Sequence, residues 1–400
     1  MITHKIMRDA GFTIVELLVS MLIMIGITGV IFSLVDPARG TFRAQPELSD
    51  MQQRLRVGTT FLADDLVMAG AGAPAGGTLT GSLMNFFAPV QPVRLGLNGS
   101  DVAAGVLYRP NVITLMYIPP NAPQTSISDA MPTKSSELKV NAQPNCPNSN
   151  PLCGFKPGQR ILIFDDSGSY DDLTLTNVQN SSLHLQHNKS VAGNELSRAY
   201  GVGAQVAQVT QRTYYRNAAT NQLMYYDGDQ REEAAVDNVV DLAFEYFGDP
   251  RPPVIVKPVT DPAGPWTTYG PKPPALGVTG NSSWPAGENC VFQVSGATGT
   301  HAPRLTDLAP NSERLVTLTQ QMLTDGPWCP TAASPTRFDA DLLRVRKIGV
   351  VLRVQVGALD LRGPVGALFK NGGTSQAGRT MVPDQEVRFE VTPRNFNLGR

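Results

Sequence analysis

The sequence predicts an α+β protein: a long N-terminal helix followed by a β-rich body. Three observations point there. From Phe12 to Val35 the chain is apolar and carries one ionisable side chain, Glu16. Farther on, Leu48, Met51, Leu55, Leu62, Leu66 and Ala69 recur at helical spacing. From about residue 102 the pattern changes to short runs of strand formers separated by glycine, proline and asparagine.

Residues 1–11 read as a polar leader that carries Lys5 and Arg8 and ends at Gly11. Residues 12–35 follow as the membrane half of the helix. At 1.5 Å per residue this stretch is about 36 Å long, enough to cross a hydrocarbon core of roughly 30 Å. The cationic leader is expected to stay on the cytoplasmic side. Glu16 is the exception within the span. A carboxylate at such a depth costs about 3 kcal/mol unless a partner meets it.

Asp36-Pro37-Ala38-Arg39-Gly40 is expected to kink or loosen the helix. Residues 36–70 form its amphipathic half, with helical signal resuming from Pro46. The apolar stripe is expected to face a soluble body, with Asp50, Gln53, Arg54, Asp64 and Asp65 on other faces. The glycine-rich run from Gly70 to Gly77 stops the helix. It lacks the spacing of a phosphate loop.

Residues 71–247 are expected to form the β-rich head. Strands are predicted at Val112–Ile118, Arg160–Phe164, Gln205–Tyr215, Leu223–Tyr226 and Val236–Phe247, with a hairpin from Asp172–Thr176 and Ser182–Gln186. His184 and His187 fall on opposite faces of a strand and read as exposed polar positions, not metal ligands. Asp165–Asp172 is the one acidic loop. Calcium is a candidate there, although the spacing is not that of an EF-hand, and a hairpin turn accounts for the same residues. Residues 248–340 form a Pro/Gly-rich excursion with a short helix at about 311–323, Leu315, Leu318 and Met322 sharing one face. Residues 341–400 return to strands. The basic residues that alternate through Leu342–Val356 imply one wet face.

Composition narrows the function classes. A net charge of −1 over 400 residues gives no global argument for nucleic-acid binding. His-Glu-x-x-His and Gly-x-Ser-x-Gly are absent from the sequence. No catalytic residue, cofactor or metal is therefore assigned. Cys146, Cys153, Cys290 and Cys329 suit disulfides in an exported chain. Local pairing joins Cys146 to Cys153 and Cys290 to Cys329, among three pairings that four cysteines allow. A four-cysteine metal site is the competing reading, without a Cys-x-x-Cys pair to support it.

Gly11-Phe12-Thr13-Ile14-Val15-Glu16 with Leu17-Leu18-Val19 resembles the class III signal of type IV prepilins. The resemblance implies cleavage after Gly11 by a prepilin peptidase and N-methylation of Phe12. It also implies docking of Glu16 against the terminal amine of a neighbouring subunit. A second resemblance, to PilW-like minor pilins, rests on Phe61–Gly70, Val236–Tyr246 and Pro393-Arg394-Asn395. Together they imply a pilin-like fold and a minor subunit acting in type IV pilus assembly or initiation, at the tip. The expected course runs from a single inner-membrane pass with a periplasmic head into the pilus. Other pilins, the peptidase and the inner-membrane assembly platform are the implied partners. J-type minor pseudopilins of type II secretion share the plan and are the alternative, ending in a pseudopilus. A membrane-anchored enzyme is the third reading.

Overall fold

The structure is a computed structural model. It describes residues 12–72, 88–93, 108–131, 133–134, 137–166, 170–190, 194–228, 231–251, 292–295, 300–303, 305, 308–309, 311–325, 328–329, 338–362 and 382–393. The chain divides into two compact units. One comprises Met1–Gln53 and Gln355–Gln385; the other comprises Arg54–Val354 and Glu386–Arg400.

A single helix, α1 (Ile14–Met68), begins in the first unit and ends in the second. It runs without interruption through Asp36–Gly40, where the sequence predicts a kink or loosening. Pro37 and Pro46 each remove one amide donor without ending the helix. In the first unit, Glu47 of α1 accepts the amide N–H groups of Gly357 (3.0 Å) and Ala358 (3.3 Å). The guanidinium of Arg362 folds back onto the carbonyls of Val356 and Gly357.

The second unit is built from antiparallel strands. The early ones are β1 (Val90–Gln91), β2 (Val112–Tyr117), β3 (Gln124–Ser126), β4 (Glu137–Lys139), β5 (Arg160–Phe164), β6 (Tyr170–Gln179) and β7 (His184–His187). Next come β8 (Gln205–Gln208), β9 (Thr210–Asn217), β10 (Gln222–Tyr226), β11 (Glu232–Asp237) and β12 (Val239–Gly248). The later ones are β13 (Phe292–Ser295), β14 (Thr300–Pro303), β15 (Val316–Leu318), β16 (Trp328–Cys329), β17 (Phe338–Asp339), β18 (Val345–Val354) and β19 (Gln385–Val391).

Three larger sheets organise most of them, while β13 pairs with β14 and β16 with β17. One has the order β1-β2-β9-β10-β11, a second β15-β12-β18-β19 and a third β3-β8-β5-β6-β7-β4. The third sheet closes on itself. Its edge strands β3 and β4 continue into a bridge between Ile127 and Val140, flanked by bonds from Asn141 N–H to Ser126 (2.9 Å) and from Ser128 N–H to Lys139 (3.0 Å). The result is a small six-stranded barrel inserted between β2 and β9, which themselves pair as neighbours. Alternation sorts its residues. Ile161 and Ile163 of β5 join Leu173, Leu175, Leu185 and Val206 in the barrel core, while Leu162 faces outward among Met116, Ile118, Ala207 and Val209.

Several sequence expectations meet a different structure. No helix forms at about 311–323. Val316–Leu318 is instead a strand that pairs with Tyr246–Gly248, leaving Leu318 buried and Leu315 exposed. Its β-branched Val-Thr pair suits an edge strand, and a sheet edge was there to receive it. The wet face expected of Leu342–Val356 is also absent. Arg344, Arg346 and Arg353 are all buried. β18 is an inner strand with β12 on one side and β19 on the other, so its alternation sorts residues between two covered faces. Arg344 donates to Asp341 and to the Pro250 carbonyl (3.0 Å), and Arg353 stands opposite Asp241 in register. His187 is buried too, its Nδ1 2.8 Å from the carbonyl oxygen of Asn194; His184 is half-buried with Nδ1 3.7 Å from Glu137.

The acidic run Asp165–Asp172 flanks the β5–β6 hairpin, with Phe164 opposite Tyr170. Asp165, Asp171 and Asp172 engage protein donors. Arg160 binds Asp172, Arg198 lies 3.8 Å from Asp165, and Asp171 accepts Ser197 N–H, Ser197 Oγ and Tyr200 Oη at 2.9 Å each. Among the described residues no group of three or more His, Cys, Asp or Glu is placed to hold a metal ion.

Burial raises the Asp171 carboxyl above the usual carboxylate range, against the pull of the Ser197 and Tyr200 hydrogen bonds. The native chain therefore keeps this proton at pH values where the unfolded chain has lost it, and this group's contribution to stability falls as pH rises above about 4. Asp171→Asn retains the acceptor oxygen and removes the titration. Its urea midpoint, relative to the parent chain, is expected to improve between about pH 4 and about pH 7. A constant difference across that range contradicts the assignment.

Candidate functional site

The site read from the sequence lies at the start of α1. Ile14–Phe32 is long and apolar enough to cross a membrane, with mean hydropathy 2.5, and none of it is buried. Gly11 lies outside the described residues. Phe12 is 88% exposed.

Thr13 and Glu16 cap the helix reciprocally. The backbone N–H and the hydroxyl of Thr13 both donate to Glu16 Oε2 at 2.9 Å, while Glu16 N–H donates to Thr13 Oγ1 at 3.3 Å. Leu17 N–H closes the first helical turn on the Thr13 carbonyl at 3.1 Å. Thr13-Ile14-Val15-Glu16 is thus a capping box, the one arrangement in which an acid at the third helical position satisfies otherwise orphaned amides. It places a negative charge at the positive end of the helix dipole. Both Thr13 donors converge on one carboxylate oxygen. The other, Oε1, has no hydrogen-bond partner among the described residues and faces outward on an exposed turn.

The far end of α1 carries a second constellation, absent from the sequence reading. The stripe behaves as predicted: Met51, Leu55, Leu62, Leu66 and Ala69 are buried, and Leu48 is half-buried. Asp65, expected on another face, is buried with them. Its Oδ1 accepts from Arg212 Nη1 (2.8 Å) and Tyr117 Oη (3.1 Å), and its Oδ2 accepts from Arg212 Nη1 (2.9 Å) and Tyr214 Oη (2.5 Å). The Arg212 guanidinium also lies over the Tyr117 and Tyr225 rings. Burial, then the Asp65 charge, push the Tyr117 and Tyr214 hydroxyls well above their ordinary values. For Arg212 burial opposes the charge and Asp65 outweighs it, so the guanidinium is held more firmly protonated. A fixed ion pair with two neutral phenol donors makes a clamp, not a proton shuttle. Two signals could have located it: Asp65 stands three residues after Leu62 on the same stripe, and Arg212 and Tyr214 share one face of β9.

Two turns before Asp65, Gly58 lies against Leu352, Val236 and Leu223, where an added Cβ would come within 2.8 Å of Leu352 Cδ2. Just past the end of the helix, Gly70 takes φ +78° and donates its N–H to the Met116 carbonyl at 2.9 Å.

Among the cysteines, Cys146 and Cys153 are joined, with Cα atoms 5.6 Å apart. Cys329 is also disulfide-bonded. Cys290, its expected partner, lies outside the described residues. No family model and no curated protein matches the chain.

Replacing Asp65 by alanine leaves Arg212 and Tyr214 without their shared acceptor. The expected cost is about 3 kcal/mol of unfolding free energy, read from denaturant curves of the detergent-solubilised chain. Asp65→Asn should cost less than Asp65→Ala, because it retains an acceptor.

Proposed function

We propose that the chain is a minor pilin-like subunit of a type IV pilus, processed by prepilin peptidase and acting in pilus assembly or initiation. The observation that carries this reading is the start of α1. An unburied apolar span opens on a capped glutamate with one free oxygen, next to Gly11-Phe12.

Cleavage between Gly11 and Phe12 creates a cationic amine on Phe12, one turn from Glu16. In the stored, membrane-embedded subunit the capping box occupies Oε2 and lowers the cost of holding the acid near lipid. Oε1 remains to receive the amine of an adjacent subunit. The charge pair then forms between two chains, sets their axial offset and favours apolar packing of one span against the next. Chemistry is done to this chain and not by it. A chain of 400 residues with a large β-rich body suits a position at the filament tip, where the subunit need not repeat.

The same helix start serves a J-type minor pseudopilin of type II secretion equally well, since both need the cleavage site and the acid. Deleting the gene separates them. A pilus subunit is expected to take surface pili and twitching with it. A pseudopilin is expected to leave pili intact and strand exoproteins in the periplasm. Loss of neither excludes both readings.

Maturation is tested at residue level. Gly11→Val is expected to accumulate a heavier, unprocessed chain on a denaturing gel, whereas normal-sized product would falsify the cleavage assignment. Glu16→Gln keeps the cap's shape and drops its charge. It is expected to leave membrane insertion intact and reduce incorporation into sheared filaments by about tenfold or more, the loss of roughly 1.4 kcal/mol of pairing.

A further inference from the structure

The loop joining β4 to β5 is closed by Cys146–Cys153 and braced from within. Gln143 donates its side-chain amide to the Cys153 carbonyl (2.7 Å) and its backbone N–H to Pro151 (2.9 Å). Leu152, fully buried, pins the loop into the barrel core. The turn between β6 and β7 lies beside it, and Asn180 Oδ1 accepts the Leu152 N–H at 3.1 Å, tying turn to loop. Leu183 closes that turn in the left-handed region at φ 56°.

Between loop and turn lies a shallow groove open to solvent. Its polar lining is Asn148, Ser149, Gln179, Asn180 and Ser181: three amides, two hydroxyls and no charge. Pro151 and Val178 supply small apolar faces. Among the described residues, the side chains of Asn148, Ser149 and Ser181 make no hydrogen bond within the chain.

The geometry points to a binding site for a neutral saccharide. Amides and hydroxyls each donate and accept, which matches a ring of sugar hydroxyls one for one. A charged ligand would find no countercharge in the lining. An apolar ligand would cover the Asn148, Ser149 and Ser181 side chains without offering them a hydrogen-bond partner. Bracing by the disulfide and by Asn180 fixes the groove in advance, so little ordering cost falls on binding. The openness of the groove suits an exposed glycan end, held weakly and reinforced by repetition. This assignment is independent of the filament reading: a chain that binds sugar without entering a filament leaves it intact.

The test uses the full chain in a zwitterionic detergent that carries no sugar headgroup. Neutral oligosaccharides of glucose, galactose, mannose and N-acetylglucosamine are presented at about 1 mM, alongside sialylated and sulfated counterparts, and read by saturation-transfer NMR. At least one neutral sugar is expected to receive transfer. Asn148→Ala with Gln179→Ala is expected to weaken it by about tenfold or more at an unchanged melting temperature. If that pair lowers the melting temperature, Asn148→Ala alone, on the exposed loop, gives the same comparison. Silence from every neutral sugar overturns the assignment. So does transfer that the variants leave unchanged, or tighter binding of the charged counterparts.

Discussion

One carboxylate joins α1 to the strands of the second unit. Asp65 sits on the apolar stripe of the helix and gathers Arg212, Tyr117 and Tyr214 from β9 and β2. Hydrophobic burial alone lets a helix slide or rotate on a sheet, because apolar contacts are nondirectional. A buried acid with three donors does not tolerate that. Moving the helix by one turn would leave a charge and two phenols unsatisfied. Apolar packing of Leu55, Leu62 and Leu66 therefore supplies the attraction, and Asp65 sets the register. The same two strands flank the inserted barrel, so the clamp and the insertion share one platform.

The legible parts of the fold were those governed by local pattern. The apolar span, the amphipathic stripe, the glycine stop and most strand positions follow from spacing along the chain. What was hidden depends on pairing across long separations. Thr114 and Thr213 are 99 residues apart and their hydroxyl oxygens lie 2.8 Å from each other. No periodicity announces that β2 waits for β9, or that everything between them closes into a barrel. The disulfide between Cys146 and Cys153 was readable because its loop is short. The bridge from Ile127 to Val140 that closes the barrel carries no such mark.

Polar residues misled the reading in a consistent direction. Asp65, His187, Arg344, Arg346 and Arg353 were placed at the surface by residue type and are buried. On α1 spacing was the better guide, and on β18 the strand pairing decided. Asp65 falls at the position the stripe reserves for a buried side chain, and Arg353 lies on an inner strand opposite Asp241. A charge on a predicted core face is more informative than a leucine there, because it demands a partner that the leucine does not. Such residues deserve a search for the matching group elsewhere in the sequence before they are assigned to solvent.

The same logic applies at the other end of α1, where Glu16 has both a local and an intermolecular explanation. The capping box satisfies the acid within its own chain, so the residue does not by itself require a neighbour. Its geometry nonetheless leaves the demand half met. Two donors from Thr13 crowd one oxygen, and the charge of a carboxylate is shared equally by both. A helix start whose only task was capping would be served as well by glutamine, which completes the same box without bringing a charge toward lipid. The retained charge is what the local account leaves over, and under the proposed cleavage a cation at Phe12 would answer it.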